Sequence, residues 1–170
     1  MMVANMGHHM HSLIKAGLIV GTILAVTATP LLAKDYTKGG VTGDEVASDL
    51  RAIGQTATVG KDSTGDPKID AAFAVDKTDI NYQIYFYGCK QGRCTTIQYH
   101  VAFDGDVKKI DAWNKGYRFA RAYASDATTI HLEYDVDVEK GANSLAVQNS
   151  AERFKAVMVQ GVTFLSADDT

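Results

Sequence analysis

The chain has 170 residues, 46% of them hydrophobic and 22% charged, with 15 Gly, 2 Pro, 2 Cys and a formal net charge of −3. That balance excludes disordered, collagen-like and disulfide-dense miniprotein classes. The apolar residues are unevenly placed, because the run from Ala16 to Ala33 carries no charge and all 20 acidic residues follow it.

The N-terminal piece places His8, His9, His11 and Lys15 ahead of AGLIVGTILAVTATPLLA, and Lys34-Asp35 follow. A weakly basic start, an apolar stretch and a small residue at the exit have the order of a secretory signal peptide. Residues 1–33 are therefore expected to be an export leader, cut after Ala33 or, alternatively, near Ala28. The rival reading is an uncleaved membrane anchor, since the 18 apolar or small residues of the run reach the lower limit for spanning hydrocarbon; its Gly, Thr and Pro content weighs against that. Export puts the mature chain in the periplasm or outside the cell, with membrane attachment only if the leader stays. Residues 1–33 hold one lysine and no acid, so residues 34–170 are a 137-residue piece with a formal charge of −4. That is the size of one domain. A mildly acidic domain without a basic patch excludes nucleic acid as a partner.

The first element of this piece reads as a helix. Thr42-Gly43-Asp44-Glu45 is a capping box, Val46, Leu50 and Ile53 share one face, and Gly54 ends it. A brief strand is expected from about Thr56 to Gly60, then a turn ending at Asp66-Pro67. Three alternating strands follow, with Ile69, Ala71, Phe73 and Val75, then Ile80, Tyr82, Ile84 and Phe86, then Ile97, Tyr99, Val101 and Phe103 on the apolar side. Short connections leave no room for crossover helices, which excludes a doubly wound nucleotide-binding fold. After the Asp104-Gly105-Asp106 turn, Val107, Ile110 and Trp113 predict a short helix ending near Gly116. Tyr117, Phe119, Arg121 and Tyr123 then predict one strand face, and Ile130, Leu132, Tyr134, Val136 and Val138 another. Beyond Gly141, Asn143 or Ser144 caps a long helix with Val147, Ala151, Phe154, Met158 and Leu165 as its stripe. The order α-β-β-β-β-α-β-β-α predicts an α+β domain with an antiparallel sheet and helices on one face.

The helix ending Leu50-Arg51-Ala52-Ile53-Gly54, the segment Tyr85-Phe86-Tyr87-Gly88-Cys89, the pair Trp113-Asn114 and the segment Arg118-Phe119-Ala120-Arg121-Ala122-Tyr123 resemble the YbjN-domain family of bacterial sensory transduction regulators. Asp111 stands where the family usually carries Asn. The resemblance implies a fold similar to the small dimeric chaperones of type III secretion, and it brings no catalytic residues with it.

Cys89 and Cys94 bracket Lys90-Gln91-Gly92-Arg93 between two alternating strands. Cross-strand neighbours at such a turn lie about 4.5–5.5 Å apart at Cα, within disulfide range, and an exported pair is expected to be oxidised. A redox-active thiol pair or a metal site fits less well, because the spacing is neither CxxC nor a zinc pattern with His100 and His131. Glu133, Asp135, Asp137 and Glu139 form an acidic stripe, read as a solvated face balanced by Arg118 or nearby lysines. His100 and His131 fall on polar strand faces with no local nucleophile or carboxylate constellation. No GxGxxG or GxxxxGK[ST] motif occurs, and no metal or cofactor is expected. Tyr85 and Tyr87 lie opposite Ile84 and Phe86, so aromatics occupy both faces of that strand and both faces are expected to be covered, one in part by the Trp113 helix.

These readings make Tyr85, Tyr87, Trp113 and Asn114 the candidate binding or dimer surface. The function expected is a non-enzymatic, protein-binding or chaperone-like regulatory module, homodimeric and meeting a protein partner in the cell envelope. The alternative is a small-molecule sensor with an aromatic pocket lined by Tyr85, Tyr87 and Trp113; catalysis is the least supported reading.

Overall fold

Thr42 opens the first helix. In the computed structural model, which describes residues 33–36 and 39–166, α1 runs Gly43–Ala52. Glu45 N–H donates to the Thr42 hydroxyl (3.2 Å) and Thr42 N–H donates to the Glu45 carboxylate (2.9 Å), so the expected capping box forms. Strands β1 (Thr56–Lys61), β2 (Pro67–Val75), β3 (Thr78–Tyr87) and β4 (Thr96–Asp104) follow. A 3₁₀ turn at Val107–Lys109 leads into α2 (Ile110–Gly116), then β5 (Arg121–Ala124), β6 (Thr129–Asp137) and α3 (Ser144–Ser166). All neighbouring strands are antiparallel, in the order β1-β2-β3-β4-β6-β5. β6 thus lies between β4 and β5, paired with β4 from Thr96↔Asp137 to Asp104↔Thr129.

The apolar side of this sheet buries Ile69, Phe73, Tyr82, Ile84, Phe86, Ile97, Tyr99, Ile130 and Leu132. α3 packs against both α1 and α2, so all three helices share that side. Buried tyrosines need partners for their hydroxyls, and each finds one on a helix or its flank. Tyr82 donates to Gln55 Oε1, Tyr99 meets Ser150 Oγ at 2.8 Å, and Tyr36 donates to Asp49. Gly161 inside α3 lets Trp113 and Leu132 approach, since a Cβ there would lie 2.5 Å from Leu132 Cδ1. The described residues fall within one unit, Leu32–Thr170.

Three expectations change. The strand expected from Tyr117 begins only at Arg121, because Phe119 takes a left-handed backbone (φ +77°) and Tyr117 instead stacks on Trp113 at 4.1 Å. The α2 helix does not cover the second sheet face: it lies with α3, and Trp113 is fully buried there. The balancing cation of the acidic stripe is Arg121, whose guanidinium reaches Glu133 Oε2 at 2.6 Å, rather than Arg118. The leader expected at residues 1–33 lies, apart from Ala33, outside the described residues. Among the described residues no helix is long and apolar enough to cross a membrane.

Candidate functional site

Alternation along β3, β4, β6 and β5 sends Tyr85, Tyr87, Gln83, Gln98, His100, His131, Glu133, Asp135, Arg121 and Tyr123 to the face opposite the helices. Among the described residues no helix packs there, and Tyr87 is 46% and Tyr123 37% exposed. Four rings cross four adjacent strands in one row. Tyr85 meets His100 edge-on at 5.6 Å, His100 lies 5.1 Å from His131, and His131 stacks on Tyr123 at 4.8 Å with the planes 8° apart.

Hydrogen bonds run along the same row. His100 Nδ1 lies 3.4 Å from Gln83 Oε1, His100 Nε2 lies 2.9 Å from His131 Nδ1, and His131 Nε2 lies 2.9 Å from Ser125 Oγ. With Gln83 Oε1 accepting, His100 carries its proton on Nδ1 and accepts on Nε2, His131 donates from Nδ1, and the Ser125 hydroxyl donates to His131 Nε2. Both rings are then neutral, and two imidazolium cations cannot keep the central bond. Beside the pair, Glu133 accepts from the Tyr123 hydroxyl (2.8 Å) and from Arg121 Nε and Nη2 (3.0 and 2.6 Å). Tyr87 donates to Gln98 Oε1 (3.2 Å), and Gln98 Nε2 donates to Asp135 (2.8 Å).

The charges follow from these contacts. Burial acts to raise the Glu133 carboxyl, but the Tyr123 and Arg121 hydrogen bonds and the Arg121 charge prevail and hold it below the usual carboxylate value. Burial, with help from Glu133, pushes the Tyr123 phenol up to about 12. Burial and the neighbouring His131 lower His100, against an opposing pull from Glu133. The Ser125–His131–His100 order is that of a nucleophile, a base and an orienting group. Ser125 nevertheless sits in the exposed turn between β5 and β6, at the end of the row.

The structure brings two of the expected surface residues together and separates the other two. Tyr85 and Tyr87 stand on the open face. Trp113 is buried under α3, its Nε1 donating to Ala120 O (3.1 Å). Asn114 clamps β5, accepting from Ala122 N–H (2.8 Å) and donating to Ala122 O (2.9 Å). Trp113 and the two tyrosines therefore line no common pocket. His100, His131, Tyr123, Arg121 and Glu133 went unrecognised as a group, because only the β4-β6-β5 strand order makes them neighbours.

Cys89 and Cys94 are joined by a disulfide. The loop between them is tighter than four free residues: Lys90 and Arg93 exchange both backbone hydrogen bonds (2.8 and 3.1 Å) around Gln91 and Gly92, both with positive φ, a primed two-residue turn. Cys94 then pairs with Val41 through both backbone groups (2.8 and 2.9 Å). Arg93 reaches Gly39 O, Gly40 O and the Glu45 carboxylate. Gly40 is required at this contact, with φ +62° and a hypothetical Cβ only 2.5 Å from Cys94 O. The bridged tip therefore fastens the segment that leads into α1.

The sequence from the α1 cap through most of α3, residues 42–160, matches the family described as "Putative bacterial sensory transduction regulator". The chain belongs to the YbjN family. The YbjN match takes in both the open face and the bridged tip, and YbjN proteins are not known as an enzyme family. Membership points to a regulatory or chaperone-like module. No curated protein matches the chain.

Proposed function

We propose that this YbjN protein is an exported regulatory module that acts without catalysis, as a homodimer, by holding a polypeptide partner of the cell envelope on the open face of its sheet. The observation that carries the reading is the uncovered row Tyr85–His100–His131–Tyr123, flanked by Tyr87 and the amides of Gln83 and Gln98. Tyrosine gives large contact area with little side-chain entropy to lose and keeps a polar tip for hydrogen bonding, which suits recognition surfaces. A flat face four strands wide suits an extended chain better than an enclosed small molecule. Crosslinking pulldown from envelope fractions tests the reading: capture of a defined protein is expected with the wild type and lost with Tyr85→Ala/Tyr87→Ala. Equal capture by the double variant overturns the assignment of the face, and a monomer in light scattering overturns the dimer.

A further inference from the structure

Phe119 sits where a phenylalanine is least at ease. Its φ of +77° belongs to the left-handed region that glycine enters freely and aromatic residues avoid. The turn needs that conformation, since it lets Ala120 O accept from Trp113 and brings Ala122 onto the Asn114 amide. It does not need the ring, which is 55% exposed. Strain retained at an exposed aromatic position is a mark of use rather than of packing.

The left-handed residue also moves the ring across the sheet. Continued alternation would put Phe119 with Arg121 and Tyr123 on the open face, but it lies on the helix side instead. There it meets Tyr134 edge-on at 6.2 Å, while the Arg153 guanidinium of α3 stands 4.5 Å over its centroid. Among the described residues Arg153 forms no ion pair. A guanidinium without a carboxylate among those residues, standing over an exposed ring, presents a local cationic, aromatic spot.

We infer that Phe119 and Arg153 form a second docking surface, on the helix side, for an acidic polypeptide segment that pairs a carboxylate with an apolar side chain. The guanidinium fork matches a carboxylate in two hydrogen bonds, and the ring with Tyr134 beside it takes the apolar group, the aromatic and arginine combination typical of binding hot spots. A single guanidinium is far fewer than the roughly four to eight cations that anionic lipid surfaces usually recruit, which favours a polypeptide over a membrane. The surface is separate from the open-face reading and does not depend on it.

Fluorescence anisotropy with a short labelled peptide of glutamates interspersed with leucines tests it, alongside the lysine-for-glutamate counterpart and phosphatidylglycerol vesicles. The acidic peptide is expected to bind saturably and more weakly as salt rises, and the basic one not at all. Phe119→Gly and Arg153→Gln should each weaken binding by roughly tenfold, while Phe119→Gly keeps or raises thermal stability because it removes backbone strain. Phe119→Asn, also tolerant of this conformation, serves if the glycine variant folds poorly. Absence of saturable binding, binding undiminished by these substitutions, or Phe119-dependent capture by the vesicles instead of the peptide overturns the inference. A drop in particle mass on Phe119→Gly without peptide also overturns it, by making the surface a contact between copies of the chain.

Discussion

Asp49 is a carboxylate placed where burial opposes its charge, and among the described residues only the Tyr36 hydroxyl donates to it. Burial raises it from 3.8 to about 6, with Lys34 pulling the other way. A group raised in the folded state stabilises the fold in its protonated form: its contribution is full below the ordinary carboxylate value and is lost as pH climbs through about 6. Asp49→Asn keeps an oxygen for Tyr36 and removes the ionisation. The variant should lose this pH dependence and be more stable than wild type at neutral pH by about 1–3 kcal/mol, read by chemical denaturation across the acidic range. Unchanged pH dependence would place the titration elsewhere. Asp49 stands three residues after Val46 and four before Ile53, so helical spacing already sets it on the apolar face of α1. What no local pattern shows is its partner, because Tyr36 reaches it from 13 residues away.

Elements were legible where their signals are local. The Thr42-to-Glu45 box, the alternation of β2, β3, β4 and β6 and the stripe of α3 are each written within a few turns or residues. The start of β5 was not, because alternation from Tyr117 cannot reveal that one residue takes a left-handed backbone. The cysteine hairpin lies between these cases. Its pairing follows from spacing, but its grip on Gly39–Val41 depends on pairing across more than 50 residues. Cys89→Ser/Cys94→Ser should therefore cost about 2 kcal/mol through the lost loop constraint. Hydrogen exchange should rise first at Val41 and Cys94, whose mutual bonds hold the tip against the segment entering α1. Uniform loss of protection across the sheet would show instead that the bridge stabilises the whole fold and not this corner.

At the scale of the whole molecule the α+β class and the element order followed from periodicity, whereas the strand order did not. Nothing local tells that β6 returns to lie between β4 and β5, and that choice alone brings His100 and His131 to 2.9 Å. The pair faces Glu133 on β6, Tyr85 and Gln83 on β3, Tyr123 on β5 and Ser125 in the turn. His100 is lowered from 6.5 in the folded state, so its contribution to stability is present above that value and is lost as pH falls through the lowered one. In an NMR titration His100 should lose its neutral ring signal only below pH 6.5. His131→Asn should bring the midpoint back toward that value; no movement would mean burial alone sets it. The layout also dictates an order of assembly. β1 to β4 form a meander of neighbouring hairpins that can close from local encounters, but its apolar side has no full cover until α3 arrives. Gln55 waits for Glu152, 97 residues on, and Asp106 N–H waits for Leu165 O. A chain emerging from its N-terminal end therefore carries a greasy sheet that α1 clothes only in part, and its last described helix is the piece that ends that exposure.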